Sequence, residues 1–396
     1  MTASTVLEPV ASGSSAAPTA RPTASGRIPE LDGLRGAAIL FVWLGHYFDL
    51  RGQGFFRVLD YSVFRMGWSG VDLFFVLSGF LIGGILLDAR ESRSYFRTFY
   101  MRRFFRIIPV YYAWIAAYIA MVTVGGSFLR AHAHTGVVEG VDFVILAQFL
   151  FLQNFGDFLA SPISYWWFTA TWSLAVEEQF YLVSPLLIRF LSRRRLTVFL
   201  GAVVAGAPLI RLFIRHQFAN GMWLGYRLMP ARADALAFGM LAAVAWRTPA
   251  FREWLSAHAR FLYSAFAALL AGFLALWKWF PNPQQLLTQT VGYTWLALFY
   301  TVILLLALAR PSGPIAAISR LGFLRDLGRI SYCVYIIHAA VYLLTIQVFL
   351  HDMPKVTNLR STAVTLLAAA ITYTIAKVSW RFLEEPLLRR GHAFKY

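Results

Sequence analysis

Residues 29–48 read Pro29-Glu-Leu-Asp-Gly-Leu-Arg35-Gly-Ala-Ala-Ile-Leu-Phe-Val-Trp-Leu-Gly-His46-Tyr-Phe48, and the class of the fold turns on this stretch. It is the first segment long and apolar enough to enter a bilayer, yet it carries an arginine and a histidine that hydrocarbon disfavours. Arg35 and His46 are eleven residues apart. On a helix that is three turns, so the two lie within roughly 20–40° of one face and about 16 Å apart in depth. An arginine near one boundary and an imidazole near the other, facing the same way, suggest a path through the membrane rather than an anchor.

The rest of the composition agrees. Of 396 residues, 59% are hydrophobic and 14% are charged, where a soluble domain carries about 25% charged residues. The chain therefore reads as an all-α, polytopic integral membrane protein whose immediate partner is the lipid bilayer. The net charge of +17 comes from 36 Lys+Arg against 19 Asp+Glu. These bases sit in short runs between apolar segments, as the positive-inside rule requires, which argues against nucleic acid and leaves a surplus able to bind anionic lipid or a polyanionic cofactor. Cys333 is the one cysteine, so no internal disulfide forms, and no Cys/His cluster has metal-ligand spacing.

Residues 1–27 are rich in Ala, Ser, Thr, Pro and Gly and read as a disordered cytoplasmic tail without the apolar core of a signal peptide. Eleven apolar segments follow, and the fourth, about 141–153, is doubtful because Gln148, Gln153 and Asn154 interrupt it and it falls short of the roughly twenty residues that spanning needs. If it does not cross, the cytoplasmic stretches carry 23 Lys+Arg and the outer ones 10. If it does, every later loop changes side and the bias is largely lost. The prediction is therefore about 10 transmembrane helices with both termini cytoplasmic, within one domain over 28–390 and a short cytoplasmic C-terminus at 391–396.

With that topology, His46, Asp72, Glu177, Glu178, Arg232 and Asp234 are predicted to converge near one level below the outer face. Each costs roughly 2.5–3.5 kcal/mol at a helix centre, so they must pair or line water. Arg232 paired with Asp234 purely to hold helices is one reading. A general base at His46, oriented by a carboxylate, is another. On the cytoplasmic side Arg102, Arg103 and Arg106 stand beside a predicted helix start. Arg103 and Arg106 share a face and suit phosphate, although a positive-inside anchor would look the same. Ser78, Ser173 and Ser331 lack a nucleophile-elbow context, and His338 reads as a hydrogen-bonded structural histidine.

Five stretches together resemble the membrane-bound acyltransferase-3 family over nearly all of residues 28–390. They are Leu31-Asp-Gly-Leu-Arg-Gly36 followed by His46; Val71-Asp-Leu-Phe-Phe-Val-Leu-Ser-Gly-Phe80; Arg103-Phe-Phe-Arg106 followed by Pro109; Trp172-Ser-Leu-Ala-Val-Glu-Glu-Gln-Phe-Tyr181; and Leu327-Gly-Arg-Ile-Ser-Tyr-Cys-Val-Tyr-Ile-Ile-His338. The resemblance implies transfer of an acyl group, usually acetyl, from cytoplasmic acyl-CoA as co-substrate to a hydroxyl of a sugar. That sugar would belong to an exo- or lipopolysaccharide or a lipid-linked glycan. It also implies His46 as the catalytic histidine, Arg35 as its motif partner and Arg103/Arg106 as the pair near the CoA phosphates. The fused extracytoplasmic esterase-like domain of some members has no counterpart here, so a single-component enzyme of a bacterial-type inner (plasma) membrane is implied, alone or beside polysaccharide-assembly machinery.

The mechanism expected on these grounds docks CoA on Arg103, Arg106 and Arg35, with Arg102 alongside. The thioester is carried up beside the first helix, and His46, oriented by Glu177 or Glu178, takes the proton of the acceptor hydroxyl. A covalent acyl-histidine fits the same residues. An acceptor that is a secreted macrolide or other small glycoside stays open, as does the rival class of a sugar or lipid exporter without acyl chemistry.

Overall fold

The computed structural model describes residues 28–48, 65–124, 141–155 and 166–396. The expectation of a disordered tail over 1–27 lies outside them. All regular structure among the described residues is helical. In chain order α1 is Pro29–Tyr47, α2 Gly70–Asp88, α3 Tyr95–Val124, α4 Val141–Phe149, α5 Thr171–Phe190, α6 Arg193–Gln217, α7 Gly221–Arg227 and α8 Met229–Trp246. They are followed by α9 Pro249–Ala257, α10 Ala259–Trp279, α11 Tyr293–Ala309, α12 Pro314–Ser319, α13 Gly322–Leu350, α14 Leu359–Ser379 and α15 Glu385–His392. Short π-helical turns, Thr288–Gly292 and Trp380–Glu384, lead into α11 and join α14 to α15.

Eight helical stretches among the described residues are long and apolar enough to cross a bilayer by length and composition. Two more, α1 with 19 residues and α5 with 20, have the length but carry the ionisable side chains that depress their apolarity. Counting them gives ten long helices among the described residues, in an all-α polytopic arrangement. The doubtful fourth segment is α4, nine residues long and far too short to span. Its polar interruptions are used internally. Gln148 accepts from Tyr111 (2.6 Å) and Thr171 (2.9 Å), Gln153 donates to the Thr171 carbonyl, and Asn154 pairs with Gln179.

Two helix pairs set the frame. α1 lies against α13, and α2 against α8, each through glycine. A Cβ on Gly36 would fall on the Leu324 carbonyl oxygen, and one on Gly239 on the Val76 carbonyl oxygen. Without a hydrophobic drive between helices in lipid, such close backbone approach is what associates them. α2, α11 and α13 are largely buried within the protein, whereas α6 and α10 mostly face outward.

Several predicted placements are corrected. α3 begins at Tyr95, so Arg102, Arg103 and Arg106 sit two to three turns inside a helix rather than at its N-terminus, because Tyr95 and Phe99 ahead of them are buried and extend the helical face. Arg232 does not meet Asp234, since residues two apart on a helix point away from each other. Arg232 pairs instead with Asp72 of α2 at 2.7 Å, and Asp234 with Arg211 of α6 at 2.9 Å. Arg211 is thus buried inside the bundle. Lys377 pairs with Asp326 of α13.

Candidate active site

Three cavities adjoin one another. The first, about 450 Å³ including space open to solvent, lies between α3, α15 and the chain's last residues, and is lined by Phe99, Arg102, Arg103, Arg106, His392 and Tyr396. Here the three arginines differ. Arg102 spends two N–H groups on the Phe394 carbonyl (3.0 and 2.7 Å) and stacks over Tyr396. Arg103 has a buried Nε without a hydrogen-bond partner among the described residues. Arg102 therefore holds residues 393–396 in place, while Arg103 keeps donor capacity toward the cavity.

Arg106 also lines the second cavity, about 660 Å³, with Arg35, Ser78, Glu177, Tyr181 and Tyr335. Both carboxylate oxygens of Glu177 are held: Ser78 Oγ donates to Oε1 at 2.6 Å and the Tyr181 hydroxyl to Oε2 at 3.2 Å. Ser78, Glu177 and Tyr181 lie on α2 and α5, whose crossing brings motif residues a hundred positions apart into one network. Two guanidinium groups against one carboxylate leave this space electropositive, in surroundings too apolar to hydrate a bare charge. Such a cavity favours an anionic or strongly polar guest.

Val71 and Tyr335 line both this cavity and a third, about 640 Å³, which contains His46. The hydroxyl of Tyr335 lies 2.5 Å from Ser173 Oγ, at the boundary between the two. His46 Nδ1 is 2.8 Å from the Val42 carbonyl one turn earlier in α1. A carbonyl only accepts, so Nδ1 carries the hydrogen and Nε2 keeps its lone pair. His46 is half-buried, and its ring packs edge-on against His338, centroids 4.9 Å apart. His338 is held the same way, through Nδ1 to the Tyr335 and Val334 carbonyls.

The expected orienting carboxylate is thus not found at His46. Glu177 lies in the second cavity, with Arg35 and Arg106, and a backbone carbonyl orients the imidazole. Glu178 lines none of the three cavities and has one buried oxygen without a hydrogen-bond partner among the described residues. Asp72 also lines none of them: it is 1% exposed and spent on Arg232. The reason is axial register. Hydropathy marks where α2 and α5 cross the bilayer but not how far each slides along α1. A signal for Tyr335 did exist in α13, where it forms with Ser331 and His338 an i, i+4, i+7 polar stripe on an apolar helix.

The acyltransferase-domain family model matches residues 28–377. The chain belongs to the acyltransferase-3 family. Among curated proteins it is similar to the peptidoglycan O-acetyltransferase OatA of Listeria monocytogenes, 26% identical over 389 residues that cover 92% of this chain and 56% of that protein. It is also similar to the O-acetyltransferase OatA of Staphylococcus aureus, 25% identical over 379 residues covering 92% of this chain and 58% of that one. The chain spans a little over half the length of these relatives. No solved structure matches it. The family segment holds Arg35, His46, Arg103, Arg106, Glu177 and Tyr335, whereas Leu388, His392 and Tyr396, the far wall of the first cavity, lie beyond the match.

Proposed function

We propose that this protein is a membrane O-acetyltransferase that moves an acetyl group from cytoplasmic acetyl-CoA to a sugar hydroxyl of a cell-wall or other cell-surface glycan. The observation that carries the reading is the file of three cavities. Arg106 belongs to the first two, Val71 and Tyr335 to the last two, and the file runs from an arginine cluster to an imidazole lone pair. The family supports acyl transfer, and the names of the two relatives support O-acetylation, peptidoglycan being the acceptor named for the Listeria protein.

In this reading Arg103 and Arg106 receive the phosphates of the acyl-CoA substrate. Arg35 and Arg106, countered by Glu177, line the passage for its arm. The rise of about 16 Å from Arg35 to His46 is comparable with the reach of an extended pantetheine. At His46, Nε2 takes the proton from the acceptor hydroxyl as its oxygen attacks the thioester carbon. The C–S bond breaks, and the thiolate of CoA leaves toward the second cavity. The same lone pair serves if an acetyl-imidazole forms first, and the reacting atom is Nε2 in both cases. Both termini and the arginine cavity are cytoplasmic in this scheme, and His46 opens toward the outer face.

The test is transfer itself. Protein purified in proteoliposomes should move label from acetyl-CoA to soluble peptidoglycan fragments, with release of CoA, and His46→Ala should abolish the transfer. Glycan crossing the vesicle membrane without CoA release would overturn the reading in favour of an exporter.

A further inference from the structure

The third cavity contains more than His46. Trp68, Trp172, Trp223 and Tyr226 form much of its wall, and Thr169 and Gln284 stand among them. With Tyr335, five aromatic rings around a space that also contains the proposed reacting nitrogen invite an explanation beyond packing.

The rings are held in place. The Trp68 indole N–H donates to the Pro281 carbonyl at 2.8 Å, and its ring meets the edge of Tyr293 at 5.6 Å. Trp172 packs on Tyr226, centroids 4.6 Å apart, and against the edge of Phe75. Trp223, on the short helix α7, carries the Arg227 guanidinium over one face at 4.7 Å. A wall whose rotamers are locked before binding loses little entropy when a guest arrives. Trp and Tyr at a bilayer boundary ordinarily form an interfacial belt facing lipid. Trp279, 60% exposed at the end of α10, fits that description. Trp172 does not, being 7% exposed and turned to the cavity.

We infer that this cavity is the acceptor subsite and that it takes a pyranose ring, stacked on the aromatic wall and read at its hydroxyls or N-acetyl group by Gln284 and Thr169. A pyranose is the guest that matches both parts of the lining. Its C–H faces are apolar enough to lie on indole, and its rim is polar enough to need amide and hydroxyl partners, as ligand pockets with apolar walls and a few placed polar groups provide. Arg227 also lines the cavity; a bare phosphate would meet it but leave the rings unused, and a lipid tail would leave Arg227, Gln284 and Thr169 facing hydrocarbon. The inference rests on the proposed function for its reaction, but not for its binding.

Two measurements on the full-length protein in nanodiscs test it, using soluble peptidoglycan fragments and the trimer of N-acetylglucosamine as probes. In the transfer assay Trp223→Ala and Gln284→Ala should each raise the acceptor KM about tenfold or more, with kcat changed less than about threefold, and Trp223→Phe should fall between. Trp279→Ala, outside the cavity, should match the parent. Equal transfer to the sugars and to a straight-chain alcohol, or a rise in acetyl-CoA KM in place of acceptor KM, would overturn the subsite. Saturable quenching of tryptophan fluorescence by the sugars, weakened in a Trp223→Ala protein of unchanged thermal stability, supports the subsite even if the parent transfers no acetyl group. Absence of quenching in a protein that does transfer would overturn it.

Discussion

The pair Asp72–Arg232 offers the sharpest separation of structure from chemistry. Both side chains are 1% exposed and 2.7 Å apart, and Arg232 lies 3.9 Å above the Tyr293 ring. Removing one partner leaves a buried charge without its counter-ion, so Asp72→Leu alone should cost about 3–5 kcal/mol. The pair is also under-bonded: Asp72 Oδ2 and Arg232 Nε and Nη1 have no hydrogen-bond partner among the described residues. Its desolvation is therefore poorly offset, and replacing both ends with apolar side chains of similar size should come out within about 1 kcal/mol of the parent. The cycle Asp72→Leu, Arg232→Met and the double variant, followed by denaturation in mixed micelles, should yield a coupling of at least about 5 kcal/mol, the two single costs less the small cost of the double variant. The double variant, once folded, should transfer acetyl groups at the parental rate. A stable double variant without activity would refute this reasoning and give Asp72 a part in the chemistry.

The other expectations concern the three cavities and the α1–α13 contact. Arg106→Ala should raise the acetyl-CoA KM by about tenfold or more, the worth of one hydrogen bond to a charged group. Arg102→Ala should instead release residues 393–396, detectable as new protease sensitivity, because its N–H groups are held by the Phe394 carbonyl. Glu177→Gln keeps an acceptor for Ser78 and loses the charge that counters Arg35 and Arg106. It should change donor KM and thermal stability together, whereas a loss of kcat alone would restore the idea that Glu177 orients His46. Gly36→Leu should prevent recovery of monodisperse protein, since its side chain would occupy the Leu324 carbonyl, an overpacking cost of at least about 1–3 kcal/mol. Gly201→Leu, at a position where a Cβ would meet nothing within 4 Å, should be silent in the same gel-filtration assay.

Much of the architecture follows from short-range rules alone. Apolar runs of helical length, the nine-residue α4 and the near alignment of Arg35 and His46 on α1 depend on hydropathy and the 3.6-residue period, which act within one segment. Which charges meet is a different kind of question. Glu177 joins Arg35 and Arg106 rather than His46, and Asp72 joins Arg232 rather than a cavity wall, because glycine contacts such as Gly36 on Leu324 and Gly239 on Val76 set how far each helix slides past its neighbour. A shift of one turn, about 5.4 Å, exchanges every partner along a helix while leaving its hydropathy unchanged. The sequence by itself therefore determined that a membrane bundle would bury arginines, carboxylates and a histidine. Only the tertiary packing decided that three cavities join them, that a backbone carbonyl orients His46, and that tryptophans surround it.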